Sequence, residues 1–192
     1  RFLSLGEHAF AIARYDRGPD GLRIHQEDLA QVFGVPPVPP TLKYQGRPYP
    51  QLARFVADTC GPADCEEFLK RVLFLVLSGN TDGHLKNWSL YYPDRRAARL
   101  APVYDFVAVA GHYPNSDPDL ALEFVRGVKT PALINWGHIE RIDSYLREKG
   151  HDLSFVPTAR AFVERCLDVW SSQRQDVDQK YAMNVDKHLG TL

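Results

Sequence analysis

The sequence predicts an α+β fold that is mainly α-helical, with small β-hairpins beside a polar loop. Apolar residues recur at three- and four-residue spacing over residues 48–77 and again from about residue 135 onward, which indicates helices. Short aromatic and aliphatic runs separated by turn residues predict the hairpins. At 192 residues the chain is long enough for one sizeable core.

The composition is that of a globular protein, and it argues against general nucleic-acid binding and against a membrane-spanning helix. The formal net charge of -1 removes a general electrostatic reason to bind nucleic acid, and no apolar run approaches the length of a membrane span. Cys60, Cys65 and Cys166 are odd in number and lack the spacing of a metal site. We therefore expect reduced thiols and a cytoplasmic location.

The N-terminal quarter predicts a hairpin, a short helix and a rigid connection. Residues 7–17 and 22–24 alternate around a turn at 18–21, and residues 25–35 have the pattern of a short amphipathic helix. This helix resembles the first half of a helix-turn-helix. The proline run at 36–40 excludes a recognition helix after it, because proline cannot donate backbone hydrogen bonds.

Further along the chain, periodicity and turn residues define the remaining elements. We predict helices over 48–59, 63–77, 137–149, 154–173 and 175–189, strands over 88–92, 98–103 and 120–125, and a surface loop over 107–118. The strands at 88–92 and 98–103 form a hairpin about a turn at 93–96. Its register is predicted to place Asn87 opposite Tyr104 and Asp105.

The polar loop at residues 79–87 reads Gly-Asn-Thr-Asp-Gly-His-Leu-Lys-Asn and lies between a core helix and a strand. Asp82 can accept a hydroxyl proton, Lys86 supplies a positive charge, and the oxygens of Asn87 and Asp105 suit a hard divalent cation. Together they match the requirements of phosphoryl transfer. A two-metal phosphohydrolase would need more carboxylates or histidines at this centre than the sequence offers.

Asp82-x-x-x-x-Asn87 has the spacing of the protein-kinase catalytic loop, and Tyr104-Asp105-Phe106 stands where kinases place a metal-binding aspartate. More specifically, residues 79–89 followed by 100–105 resemble the bacterial HipA family, which are serine/threonine kinases that act as toxins of toxin–antitoxin modules. Similar features are at residues 14–17, 23–28, 34–37 and 120–122. The resemblance therefore extends to about residue 130.

This resemblance implies the large, C-terminal lobe of a protein-kinase-like fold. Residues 1–45 would form a hinge-side hairpin, a short helix and a Pro-rich connection, and residues 46–192 a helical catalytic lobe. Within that lobe, residues 79–89 would be the catalytic loop and 102–106 the metal-binding segment. The ATP-covering N-terminal lobe would lie upstream of Arg1, so we expect this chain alone to bind ATP poorly.

The resemblance also implies roles for individual residues. Asp82 would orient and deprotonate the substrate hydroxyl, and Lys86 would offset charge on the transferred phosphoryl group and contact the nucleotide. Asn87 and Asp105 would hold Mg²⁺ on the ATP phosphates. Backbone groups of Ala13 and Tyr15 would meet the adenine edge at a hinge.

Three further loop residues have open or altered roles. His84 and Asn80 could each brace the loop or take part in catalysis, and the sequence leaves both readings open. Gly83 replaces the arginine that many HipA relatives carry, which leaves Asp82, Asn87 and Asp105 intact.

The partners implied by the resemblance are a helix-turn-helix antitoxin, which would supply DNA binding, and a protein substrate such as an aminoacyl-tRNA synthetase or another translation factor. We expect no direct nucleic-acid binding by this chain. The alternative function is a catalytically inactive pseudokinase or partner-binding module of the same fold, and the intact catalytic residues argue against it.

Overall fold

The computed structural model describes residues 2–4, 8–10, 12–109, 118–190 and 192. Within these ranges the chain forms six α-helices, which are α1 (Leu29–Val32), α2 (Tyr49–Cys60), α3 (Pro62–Leu77), α4 (Trp136–Glu148), α5 (Phe155–Gln173) and α6 (Gln179–Leu189). The same ranges contain five short strands, which are β1 (Phe2–Ser4), β2 (His8–Phe10), β3 (Gln26–Asp28), β4 (Ser89–Tyr91) and β5 (Arg99–Leu100). The prediction of a mainly helical α+β fold is confirmed.

The strands form two small antiparallel sheets. β1 pairs with β2, with Phe2 opposite Phe10. The second sheet has the order β3-β4-β5, in which Asp28 is opposite Ser89 and Leu90 is opposite Leu100. Strands β4 and β5 of this second sheet follow the polar loop in sequence, so they position the residues on the C-terminal side of the loop.

Helix α3 lies at the centre of the hydrophobic core. In its second half Val72, Leu73, Leu75, Val76 and Leu77 are all nearly inaccessible to solvent, and Phe74 is the exception at 42% exposed. α2, α5 and α6 pack against it. An apolar helix must be covered by other elements over most of its surface, and the packing of three helices against α3 confirms the central position predicted from residues 72–77.

The predicted helices after residue 48 are confirmed with small shifts at their ends. The first two begin at Tyr49 and Pro62, one residue from the predicted starts. The last predicted helix, 175–189, begins only at Gln179, because a 3₁₀ turn at Arg174–Asp176 precedes it. Three further 3₁₀ helices lie in the described part of the chain, at Pro40–Tyr44, Leu85–Asn87 and Pro131–Leu133.

The predicted helix over 25–35 is wrong in its first half. Residues Gln26–Asp28 form strand β3, and the helix comprises only Leu29–Val32. Asp28 ends the strand as the helix N-cap, where its carboxylate accepts a hydrogen bond from the Gln31 N–H at 2.8 Å. The polar Gln-Glu-Asp run has no strand pattern of its own, and pairing with β4 decides its conformation.

The predicted strand over 120–125 is also wrong. This segment bends back at Gly127 and forms only one isolated bridge, between Val125 and Val128. Some of its backbone groups bond to distant segments instead: the Ala121 N–H donates to the Thr81 carbonyl at 2.8 Å, and the Glu123 carbonyl accepts the Tyr49 N–H at 2.9 Å. Residues 110–117 of the predicted 107–118 loop, and residues 7 and 11 of the predicted first hairpin, lie outside the described residues.

The turn at 18–21 is confirmed, and it is closed by an isolated bridge between Arg17 and Arg23 rather than by paired strands. No helix in the described ranges is both long and apolar enough to cross a membrane.

Candidate active site

The polar loop leaves α3 through a tight turn and is held from three sides. Gly79 has φ +65°, a conformation that favours glycine, and the Asn80 N–H returns to the Leu75 carbonyl at 2.9 Å. The buried Tyr49 hydroxyl donates to the Gly83 carbonyl at 2.9 Å. With the bond from Ala121 to Thr81, these contacts fix the backbone of the loop.

Asn87 and Asp105 are in direct contact, as the sequence predicted. The Asn87 Nδ2 donates to Asp105 Oδ2 at 2.6 Å, and Asn87 Oδ1 accepts the backbone N–H of His84 at 3.0 Å. Asp105 has φ +57°, in the left-handed region that aspartate tolerates better than most residues. Such backbone conformations cluster at functional sites.

The predicted register of this hairpin is wrong in detail. The observed pairs are Leu90 with Leu100 and Tyr91 with Arg99, and β5 ends at Leu100, before Tyr104 is reached. Asp105 therefore meets Asn87 through the irregular segment after β5 rather than by strand pairing. The contact between Asn87 and Asp105 was predicted correctly. The strand pairing from which it was inferred, however, ends at Leu100, before Asp105 is reached.

The hairpin is fixed to the first turn of α3 by a buried carboxylate. Asp64 accepts two hydrogen bonds from the Arg99 guanidinium, at 2.7 and 3.1 Å, and one from the Leu100 N–H at 3.2 Å. Arg71 of the same helix donates to the Ala101 carbonyl at 2.6 Å. These bonds determine where the segment leading to Asp105 leaves the sheet.

Asp82 projects toward solvent at the edge of the loop, with 47% of its side chain exposed. Its Oδ1 accepts the Tyr44 hydroxyl at 3.0 Å. Its backbone N–H donates to the side-chain oxygen of the buried Asn80 at 3.2 Å. Asn80 thus makes the bracing contact that the sequence left as one of two readings.

His84 is buried beneath Asp82 and contacts a lysine from a distant segment. The Lys43 ammonium lies 2.7 Å from His84 Nε2. Burial, with the adjacent Lys43 charge, lowers the pKa of His84, which favours the neutral ring. Because an ammonium can only donate, Nε2 is the acceptor and Nδ1 carries the proton.

Lys86 is exposed and lines a cavity of about 600 Å³ together with Ala13 and Tyr15. The cavity thus combines the predicted hinge residues with one predicted catalytic residue. Asp82, Asn87 and Asp105 do not line it. Tyr104 forms part of its wall, and Lys86 and Tyr104 directly precede Asn87 and Asp105 in sequence, so the cavity adjoins the Asn87 amide and the Asp105 carboxylate.

Aromatic and hydroxyl contacts fix the wall of this cavity. Tyr15 stacks on Tyr104 with ring centroids 6.2 Å apart and donates its hydroxyl to Gln26 at 2.5 Å. The Tyr104 hydroxyl donates to the Lys86 carbonyl at 2.7 Å and lies 2.6 Å from Ser89 Oγ. Burial raises the pKa of Tyr104, so the hydroxyl stays protonated as this donor.

An ion-pair cluster lies at the end of the cavity that Ala13 and Tyr15 line. The Asp16 carboxylate lies 2.6 Å from the Arg14 guanidinium and 2.7 Å from that of Arg17. Hydrogen bonding from Arg14 is the main cause that lowers the pKa of Asp16 to about 2. The Asp16 carbonyl also accepts the Ile24 N–H at 3.0 Å, which ties this segment to the residues before β3.

The residues at this site suit Mg²⁺. Asp105 is exposed, and its Oδ1 accepts no hydrogen bond from the described residues. The amide oxygen of Asn87 has two lone pairs, so it can accept the His84 N–H and still contact a cation. Mg²⁺ usually takes one or two protein oxygens and completes its shell with phosphate and water. Within the described ranges, no three His, Cys, Asp or Glu residues lie close enough to hold a metal together.

Sequence reasoning missed two residues that contact the loop. Lys43 and Tyr44 lie in the 3₁₀ helix that follows the proline run, about 40 residues before the loop. Nothing in the local pattern of this segment points to His84 or Asp82, because these contacts depend on the path of the proline-rich chain.

A family model described as the HipA-like C-terminal domain matches residues 1–173. The chain belongs to this family. The resemblance read from the loop and from Tyr104-Asp105 is therefore confirmed. The curated relatives of this HipA-like domain include the "Putative kinase Y4dM" of Sinorhizobium fredii (strain NBRC 101917 / NGR234), which is 39% identical over 188 residues, 96% of this chain and 44% of the relative.

Two further comparisons agree with this assignment. A "Putative kinase" of Haemophilus influenzae is 34% identical over 114 residues, covering 54% of this chain and 32% of the relative. Among solved structures, HipA of Shewanella oneidensis MR-1, determined in complex with HipB and operator DNA, matches the whole chain with a TM-score of 0.68 at 20% identity. That likeness shows a shared fold. The HipA-like chain spans 49% of the Shewanella protein, and less than half of the curated relatives.

Proposed function

We propose that this chain is the large lobe of an ATP-dependent serine/threonine protein kinase of the HipA type, the toxin half of a bacterial toxin–antitoxin module. The observation that carries the proposal is the direct contact between Asn87 and Asp105 beside the exposed Asp82. Two oxygen donors for a cation next to a carboxylate that can accept a proton are the parts that phosphoryl transfer uses. The names of the curated relatives support the same reaction class.

Each residue has a role that its surroundings allow. Asp82 is exposed and keeps one carboxylate oxygen for a substrate hydroxyl, so it orients that hydroxyl and accepts its proton. The exposed Lys86 ammonium offsets negative charge on the transferred phosphoryl group. Asn87 and Asp105 hold Mg²⁺, which when bound to ATP neutralises charge on the phosphates.

The nucleotide is proposed to lie in the 600 Å³ cavity lined by Ala13, Tyr15 and Lys86. Its volume lies within the range of small-molecule sites. Backbone groups at Ala13 and Tyr15 would meet the adenine edge there, and Lys86 would face the phosphates.

The proposed partners follow the family. Because HipA of Shewanella oneidensis was solved with HipB and operator DNA, we propose a helix-turn-helix antitoxin that supplies DNA binding for this protein. The proposed protein substrate belongs to translation, such as an aminoacyl-tRNA synthetase. The formal charge of -1 supports DNA contact through the antitoxin rather than through this chain. We propose a cytoplasmic location.

The test measures phosphate transfer from labelled ATP by the full-length protein and by Asp82→Asn and Asp105→Asn. Asp82→Asn should lower kcat by roughly a hundredfold or more and leave ATP binding intact, because it removes the proton acceptor alone. Asp105→Asn should also weaken Mg²⁺-dependent ATP binding. The matched control is Asp176→Asn, at an exposed position in the 3₁₀ turn before α6, which should transfer phosphate like the parent.

Two results would overturn the assignment. Transfer by both variants at the parental rate would show that these carboxylates are not used. A parent that binds its partner but transfers no phosphate, with or without Mg²⁺, would favour the pseudokinase or binding module.

A further inference from the structure

The 3₁₀ helix Pro40–Tyr44 reaches across the molecule to the polar loop. It begins after the proline run and ends with Lys43 and Tyr44, whose side chains contact His84 and Asp82. These contacts span 41 and 38 residues of sequence. A short helix with no buried residue of its own is thereby joined to the centre of the candidate site.

The Tyr44 hydroxyl occupies one oxygen of the Asp82 carboxylate and leaves the other. It donates to Oδ1 at 3.0 Å, whereas Oδ2 lies 4.0 Å from His84 Nε2, beyond hydrogen-bond distance. With 47% of the Asp82 side chain exposed, Oδ2 is available to a substrate hydroxyl. This geometry indicates that Tyr44 orients the Asp82 carboxylate and does not block it.

The Tyr44 ring is itself held by two neighbours. Its centroid lies 5.4 Å from that of His84 in an edge-to-face contact, and the Lys43 ammonium lies 4.8 Å from it. Lys43 in turn donates to the buried His84. His84 is buried and packed in the loop, so it gives the Tyr44 ring a rigid support. The position of the Tyr44 hydroxyl is therefore fixed.

We propose that Tyr44 is a positioning residue for phosphoryl transfer, which fixes the Asp82 carboxylate through one oxygen so that the second meets the substrate hydroxyl. Lys43 supports it by holding the Tyr44 ring against His84. This inference rests on the proposed kinase function, and it adds the segment after the proline run to the site. Fixed orientation of a reacting group can supply a large part of a rate enhancement.

The experiment is a double-mutant cycle on the full-length protein, with phosphate transfer from labelled ATP as the readout. Tyr44→Phe keeps the ring and removes only the hydroxyl, so kcat should fall roughly tenfold while the KM for ATP stays unchanged. In an Asp82→Asn background the same change should have no further effect, since Tyr44 acts through Asp82. Tyr145→Phe, a half-buried tyrosine on α4, is the matched control and should keep the parental kcat.

Lys43 provides a second arm of the test. Lys43→Met should lower kcat in the same direction, and Lys43→Arg should restore part of it, because a guanidinium can still donate to His84. Thermal unfolding of each variant checks that the fold is retained.

The outcomes separate this inference from the proposed function. A parent that requires Asp82 but tolerates Tyr44→Phe overturns the inference alone, and so does a loss of equal size in both Asp82 backgrounds. A higher kcat in Tyr44→Phe also overturns it, because the hydroxyl would then obstruct the base. A parent whose transfer is unaffected by Asp82→Asn overturns the proposed function together with the inference.

Discussion

Residue 83 has almost no room for a side chain in this loop. A Cβ at Gly83 would lie 2.6 Å from Leu75 Cδ1 and 3.0 Å from the Tyr49 hydroxyl oxygen. Both neighbours are buried, and Tyr49 also donates to the Gly83 carbonyl. The close approach of Tyr49 and Leu75 to this backbone holds Asp82, the preceding residue, in place. Glycine at position 83 therefore allows Leu75 and Tyr49 to pack closely against the backbone of the loop.

We expect Gly83→Ala to lower the free energy of unfolding by about 1–3 kcal/mol, because the buried Leu75 must shift to admit the methyl group. Denaturant titration measures the change. Gly190→Ala is the control, since its Cβ would meet nothing closer than the Lys187 carbonyl at 3.6 Å, and it should change stability by less than about 0.5 kcal/mol. Equal effects at the two positions would contradict the crowding at Gly83.

The β4–β5 hairpin depends on its connection to α3 more than on its own pairing. β5 has only two residues, and such short pairings are marginal by themselves. Asp64 binds both the Arg99 side chain and the Leu100 backbone, so one buried carboxylate joins the hairpin to the helix. The position of Asp105, which follows the hairpin in sequence, depends on these hydrogen bonds from Asp64.

Asp64→Ala should lower the free energy of unfolding by about 2–3 kcal/mol, because hydrogen bonds to a charged group are lost and the Leu100 N–H is left unpaired. Amide exchange of β5 should accelerate in the same variant. Glu66→Ala on the same helix removes a surface pair with Lys70 and should cost about 0.5 kcal/mol or less. If the β5 amide protons exchange as slowly in Asp64→Ala as in the parent, Asp64 does not hold the hairpin on α3.

The whole described molecule is organised around α3. One core cluster joins its buried residues to α2, α4, α5 and strands β4 and β5, with Phe68 packed against Tyr49 and Trp88. The loop begins where this helix ends, so the candidate site lies at the boundary of the best-packed region. A single core of this kind predicts one cooperative unfolding transition.

We expect Phe68→Ala to destabilise the protein by about 3–5 kcal/mol, the usual cost of removing a fully buried phenylalanine. Far-ultraviolet circular dichroism and tryptophan fluorescence should report the same transition midpoint. Phe74→Ala, on the same helix but 42% exposed, should cost no more than about 1–2 kcal/mol. Separate midpoints from the two probes would show that the core is not one cooperative unit.

The local pattern was sufficient for the long helices and for most of the candidate site. Periodicity predicted α2 to α5 to within two residues, because burial of one face repeats every three or four positions. The loop motif and Asp105 were predicted together because a short hairpin joins them in sequence. In each case the deciding interactions lie within about 20 residues.

Only the tertiary structure decided the remaining features. Gln26–Asp28 form a strand because β4, more than 60 residues later, offers a pairing edge. Residues 120–125 are not a strand because the backbone of Ala121 bonds to the loop at Thr81. Hydrogen bonds between residues so far apart in sequence produce no periodic pattern of residue types in either segment.

By itself the sequence indicated the family and the helices α2 to α5, and it named Asp82, Lys86, Asn87 and Asp105 as the candidate set, since these depend on residue type and short spacing. The structure alone decided that Tyr44 contacts Asp82 and that Lys43 contacts His84. Their place depends on how a proline-rich segment crosses the folded core, and chain reversals of that length are fixed by packing rather than by local preference.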